Sequence, residues 1–256
     1  MGIKTKITKK DLSPYIKVDS LKKTKDGVSH SVYIVNNRYI LKIYEDLSIQ
    51  EIQNEITIVN YCKDLKINRI KKDLFYIKNK PAILYYKCKG KSLTKIKKKH
   101  IRQIGKFLKE FHTLSSNLNL SLKNSFGKTS LKEMIKRSKS KKFLKIFKKI
   151  KIDLKNDGII HGDLFIDNAI FKKDRLSCVI DFSDSCKGDF LFDLAVASIS
   201  WCKNKEDIKT LLKSYEAKIS IKKFYSYIDY ALLYYSVLRY LNNREYKSLL
   251  KGIRFI

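Results

Sequence analysis

The sequence predicts an α+β protein of two lobes, a small antiparallel β lobe followed by a larger, mainly helical one. Three observations predict it. Short apolar runs rich in β-branched and aromatic residues occupy the first third, at residues 32–35, 39–44 and 81–86. Beyond residue 100 the apolar residues instead recur at three- to four-residue spacing, as helices require. At 256 residues and 44% hydrophobic, the chain has material for one protein of two lobes rather than two independent domains. The first lobe is predicted over residues 1–87 and the second over 88–256.

Each element has its own signal. Asn36-Asn37 between residues 32–35 and 39–44 is turn chemistry, so these two runs form a β-hairpin with Lys42 on its second strand. In the stretch 48–62, Ile52, Ile56 and Val59 mark one helix face, and Glu55 falls beside them, with Glu51 one turn earlier. Residues 81–86 read as a strand, Lys87 to Lys89 as the connection between lobes, and Gly90 as the point where the chain leaves it. Ile101, Ile104, Phe107, Leu108 and Phe111 form the stripe of the next helix, which ends at His112, with His100 predicted to be solvated. Ser130-Leu131-Lys132-Glu133 fits a capping box opening a second helix, whose apolar pattern runs to Ile150 with a break near 138–140. Three further helical stretches follow at 192–201, 206–217 and 222–241, where Tyr227, Tyr230, Tyr234 and Tyr235 are predicted to build core and pocket wall.

The richest segment lies between the two helical regions. It reads His161-Gly162-Asp163-Leu164-Phe165-Ile166-Asp167-Asn168, followed after a hairpin-like interval by Val179-Ile180-Asp181-Phe182. Apolar runs flank Asp163 and Asn168, so these sit on a loop, and Asp181 ends a strand. In phosphoryl transfer the protein mainly positions the nucleophile and neutralises phosphate charge through Mg²⁺. Mg²⁺ prefers hard oxygen ligands, which a carboxylate and an amide carbonyl supply, and Asp181 and Asn168 fit that role. Asp163, ionised near neutral pH as an ordinary Asp is, fits the base that takes the hydroxyl proton.

The stretches HGDLFIDNAIF, VIDFSDSCKGDFLFDLA and SWC resemble the aminoglycoside phosphotransferase and choline kinase superfamily, which shares the protein-kinase fold. Within it they most resemble the homoserine kinase-like branch. The resemblance implies a protein-kinase-like fold and ATP and Mg²⁺ as cofactors, with Asp163 as catalytic base and Asn168 and Asp181 as metal ligands. His161 would brace the loop and Asp193 would be structural. It implies further that Lys42 contacts the nucleotide phosphates and is held by Glu55. The loop Asp26-Gly27-Val28-Ser29-His30-Ser31 would cover the phosphates through Ser29, His30 and Ser31, and the backbone of Tyr85, Tyr86 and Lys87 would meet the adenine edge. The chain departs from the branch at Gly162, where Ala is commoner, at Ile166, where Pro is, and in its shorter length. Phe182-Ser183-Asp184-Ser185 offers no aromatic cage residue after Phe182, which lowers choline as acceptor. A homoserine-like amino alcohol is therefore expected first, and an aminoglycoside, choline or ethanolamine, or a sugar alcohol second.

Composition excludes other classes. Gly90-Lys91-Ser92 and Gly127-Lys128-Thr129 end like a P-loop, but Tyr85 and Leu122 stand where its first glycine belongs. No run of about 18 apolar residues and no leader is present, which predicts a cytoplasmic protein without a membrane partner. Five cysteines without a C-x-x-C pair read as reduced thiols. The net charge of +31 comes from lysines spread through nearly every segment, so they read as solvated filler and nucleic acid is not an expected partner. A kinase-shaped, RNA-associated protein is the alternative of another class, and it would need those lysines on one face beside the cleft.

Overall fold

The computed structural model describes residues 4–24 and 29–254. A short helix α1 (Lys9–Leu12) leads into strands β1 (Leu21–Lys23), β2 (Ser31–Val35) and β3 (Tyr39–Ile43), then helix α2 (Ile49–Tyr61) and strands β4 (Ile70–Ile77) and β5 (Lys80–Tyr86). The five strands make one antiparallel sheet in the order β1-β2-β3-β5-β4. Asn36 and Asn37, both at φ 52°, turn the three-residue connection 36–38 between the paired Val35 and Tyr39.

The two-residue period of a strand divides this sheet cleanly. Leu41 and Ile43 of β3, with Tyr33 and Val35 of β2 and Ala82 and Leu84 of β5, pack against Ile7 and Leu12 on one face. Lys42 and its neighbours Tyr44, Ile83 and Tyr85 point to the other face, where Tyr44, Ile83 and Tyr85 join Ile52, Ile58 and Val59 of α2 in the main core. The strand β4 lies outside the predicted set, because Lys71-Lys72-Asp73 breaks its apolar alternation and two register shifts interrupt its pairing.

Helices α3 (Lys98–Ser115), α4 (Lys128–Ser138) and α5 (Lys141–Lys149) follow, then β6 (Gly158–Ile160), a 3-10 turn at Ile166–Asn168, and the hairpin β7 (Ala169–Lys172) and β8 (Arg175–Val179). Strand β9 (Cys186–Gly188) pairs with β6. Helices α6 (Phe190–Trp201), α7 (Lys205–Tyr215), α8 (Ile221–Leu241) and α9 (Lys247–Lys251) complete the body.

Three expectations are corrected. Helix α4 starts at Lys128 with Gly127 as its N-cap, and Ser130 donates to the Asn124 carbonyl at 3.3 Å instead of capping. His100 is buried and shares a hydrogen bond of 2.8 Å with Asp174, because its place at the start of α3 turns it inward. Cys88 and Cys178 are joined as a disulfide across 90 residues, while Cys62, Cys186 and Cys202 are free. The break between α4 and α5 falls where predicted, with Lys139 at φ 53° and Ser140 capping α5.

Candidate active site

The cleft face of the sheet delivers Lys42. Its Nζ lies 3.1 Å from Glu55 Oε1 and 2.8 Å from Asp181 Oδ1, so one ammonium bridges α2 and the end of β8. Burial alone would lower the Lys42 pKa, but Asp181 and Glu55 together hold it well above the usual lysine value. Glu55 is nearly fully buried and also accepts from Tyr44 Oη at 2.8 Å and Tyr85 Oη at 2.9 Å. A buried charge needs such partners to persist. Glu51 has a different task, accepting from the amide and hydroxyl of Ser48 at the N-terminus of α2.

Asp181 sits at φ 66°, and Ser183 Oγ donates to its Oδ1 at 2.7 Å. Burial opposes its charge, yet Lys42 and Ser183 hold it well below the ordinary carboxylate range. The amide nitrogen of Asn168 donates to the Asp163 carbonyl at 2.8 Å and to its Oδ2 at 2.9 Å. That leaves the Asn168 side-chain carbonyl as the atom free for a cation.

Asp163 differs from the ordinary aspartate expected. Burial first, then the carboxylates of Asp184, Asp181 and Asp167, push it up to about 8, so it holds its proton at neutral pH. Burial and Asp181 also push Asp184 up to about 6. Tyr235 of α8 donates to the Gly162 carbonyl and stands 3.5 Å from Asp163 Oδ1, with Phe165 edge-on to its ring. Gly162 is at φ +79°, and a Cβ there would meet Phe126 at 2.5 Å, so the loop admits no alanine without moving that ring.

The loop is anchored from beneath. Asp193 of α6, fully buried, accepts from the amides of His161 and Gly162 at 2.9 Å each and pairs with His112 Nε2 at 2.9 Å. His112 reaches Tyr215 Oη at 2.9 Å through its other nitrogen. His161 Nε2 lies 3.2 Å from the Ile180 carbonyl, tying the loop to the strand end before Asp181.

The residues assigned to the phosphate loop divide. Asp26, Gly27 and Val28 lie outside the described residues, and Ser29 is exposed at their edge. His30 rests against Tyr44 at 5.0 Å, and its buried Nδ1 has no hydrogen-bond partner among the described residues. Burial, then Lys42, lowers its pKa to about 4. Ser31 does not belong with them. Strand alternation turns it to the α1 face, where its hydroxyl accepts from the amides of Lys4 and Thr5 at 2.9 Å and donates to Glu45 at 2.5 Å.

The 85–87 segment is also corrected in part. Tyr86 N–H donates to the Arg69 carbonyl at 2.8 Å and Lys87 N–H to the Arg38 carbonyl at 2.9 Å, so these two amides are engaged within the protein. Tyr235 is one of the tyrosines predicted as core and pocket wall, whereas Tyr44, the Tyr85 hydroxyl and Ser183 are not among the predicted site residues. Of these three, Tyr44 has a usable signal, its place two residues beyond Lys42 on the same strand face.

Among the described residues no group of three His, Cys, Asp or Glu side chains is arranged to hold a metal ion. Asp181 with Asn168 nonetheless suits Mg²⁺, which takes one or two protein oxygens and completes its shell with phosphates and water. No helix is long and apolar enough to cross a membrane.

Known proteins with similar sequences and folds agree with one another. Homoserine kinases of Methylobacillus flagellatus and Parvibaculum lavamentivorans are each 26% identical, over 70% and 72% of this chain. The chain spans 63% and 64% of their lengths. Among solved structures, the choline kinase LicA from Streptococcus pneumoniae superposes with a TM-score of 0.71 at 19% identity, covering 96% of both chains. The GDP complex of wild-type aminoglycoside 2'-phosphotransferase-IIIa gives 0.70 at 14% identity, covering 93% of this chain and 92% of the other. Both share the two-lobed kinase-like fold. The model of the phosphotransferase enzyme family matches residues 20–220, and the chain belongs to that family.

Proposed function

We propose that this chain is an ATP- and Mg²⁺-dependent phosphotransferase that moves the γ-phosphoryl group to a hydroxyl of a small amino alcohol, homoserine first. The observation that carries this reading is the convergence of Lys42, Glu55, Asp181 and the Asp163–Asn168 loop from four stretches of chain: Lys42 bridges Glu55 and Asp181, Asn168 holds Asp163, and the Asp181 carboxylate acts on Asp163 through its charge. Lys42 binds phosphate oxygens while Glu55 keeps its ammonium in place. His30 stands close enough to Lys42 and Asp181 for their charges to act on it. Asp181 and the Asn168 carbonyl would hold Mg²⁺, which when bound neutralises charge on the phosphate oxygens. Burial and the neighbouring carboxylates keep Asp163 protonated, and positive charge held at Asp181 would offset the Asp181 share of that effect. In its ionised form Asp163 accepts the acceptor hydroxyl's proton at a carboxylate oxygen, steadied by Asn168.

The lobe boundary falls between Lys87 and Cys88, and the setting is the cytoplasm. The homoserine kinases matched in sequence favour homoserine. A second reading draws on Asp163, Asp184, Asp181 and Asp167, whose mutual repulsion marks an acidic pocket suited to a polycationic amino sugar. ADP release by the purified chain, measured across homoserine, ethanolamine, choline, sugar alcohols and aminoglycosides, tests both. Homoserine is expected to give the highest kcat/KM. An aminoglycoside ranking first replaces it with the second reading, and no acceptor raising ADP release above the water background removes both.

A further inference from the structure

The disulfide lies at the junction of the two halves. Upstream of it, Lys87 N–H is tied to the Arg38 carbonyl beside the β2–β3 turn. Downstream, Lys91 N–H donates to the Phe171 carbonyl at 3.0 Å and Phe171 N–H to the Lys91 carbonyl at 2.9 Å, fixing the chain to β7. At Gly90, with φ +122°, the backbone runs so close that a Cβ would lie 2.2 Å from the Phe171 oxygen. Residues 88–90 are thus the short span between a point held by the sheet and a point held by the β7–β8 hairpin. Cys88 opens that span. Its partner Cys178 lies in β8, three residues before Asp181, and Asn168 immediately precedes β7. One covalent bond therefore joins the pivot to the hairpin that carries both candidate metal ligands.

We propose that Cys88 and Cys178 are a reversible oxidation site, closed by a low-molecular-weight disulfide, which locks the pivot between the halves and slows nucleotide exchange. The effect on exchange rests on the nucleotide reading above. Cys88 is half-buried and Cys178 buried, so Cys88 is the sulfur an incoming reagent meets. Its thiolate attacks the small disulfide and expels one small thiol; the Cys178 thiolate then attacks Cys88 in the mixed disulfide and expels the second. The protein loses two protons and two electrons, and both leave on the two small thiols. With the bond formed, the Cα–Cα separation is 6.2 Å, within the span a disulfide bridges. Cys62 and Cys186 are buried thiols pushed up to about 11, poor nucleophiles that stay bystanders. In the cytoplasmic setting proposed above thiols are kept reduced, so the open pair is the resting form and the bond marks oxidative conditions.

The full chain tests this without any acceptor. Titrated in guanidinium, the reduced protein should show five thiols, and after oxidised glutathione three, returning to five with dithiothreitol. Release of a fluorescent ADP analogue should be at least about threefold slower from the oxidised form. Cys88→Ser and Cys178→Ser should each release it at the reduced-form rate with or without oxidant. Five thiols after oxidant, three thiols that dithiothreitol cannot change, or equal release rates would overturn the proposal. If neither form binds the analogue, the nucleotide reading has failed, and amide exchange over residues 86–91 then decides the lock, which requires slower exchange in the oxidised form.

Discussion

Asp163 sets the chemistry against the fold. Its carboxyl is pushed up to about 8, against about 3.9 in an unfolded chain, so between those values the folded state binds more protons. Stability from this group is therefore fully present near pH 4 and falls as the pH rises to about 8. Asp163→Asn should lower turnover by roughly 10²–10⁴ with ADP affinity nearly unchanged, and should raise Tm by a few degrees at pH 8 but not at pH 4. Turnover assays with calorimetry across that range check both halves. Tyr85→Phe removes a hydrogen bond to the buried Glu55 carboxylate and should cost about 1.5–3 kcal/mol in urea unfolding. At this scale much was legible. Lys42 between Leu41 and Ile43, and Glu55 beside Ile52, follow from strand and helix periods. The Ser31 assignment failed against that same period, since position 31 shares its face with Tyr33 and Val35. What no period could reveal was the ionisation of Asp163, which depends on carboxylates brought in from across the fold.

At the scale of elements, local signals competed with tertiary ones. Ser130 to Glu133 fits a capping box, yet α4 begins earlier because Leu131 is drawn fully into the core. Strand β4 was hidden by charges that face solvent along a bulged edge. Helix α4 ends with Lys139 in the left-handed region, a conformation in which a Cβ is strained. Lys139→Gly should therefore stabilise the protein by about 1 kcal/mol, read as a higher urea midpoint at unchanged slope. The β7–β8 hairpin was easier, because apolar runs flank Lys173, whose φ of 56° makes the turn.

For the whole molecule, the two-lobed plan was readable, and the cross-link from Cys88 to Cys178 was not, since pairing across 90 residues leaves no mark in spacing. The charge of +31 must repel itself in the compact state. Raising NaCl from about 0.02 M to about 0.3 M shortens the Debye length and should raise Tm by several degrees, as a fluorimetric melt in each buffer would record.

Asp193 grips the amides of His161 and Gly162 from inside α6, His112 of α3 pairs with Asp193, and Tyr215 of α7 holds the other nitrogen of His112. Those two backbone protons cannot meet water by fraying of a surface loop; three helices must part first. In deuterium oxide they should be among the last in the chain to be replaced, on the timescale of global unfolding, although they adjoin the loop proposed to receive the acceptor.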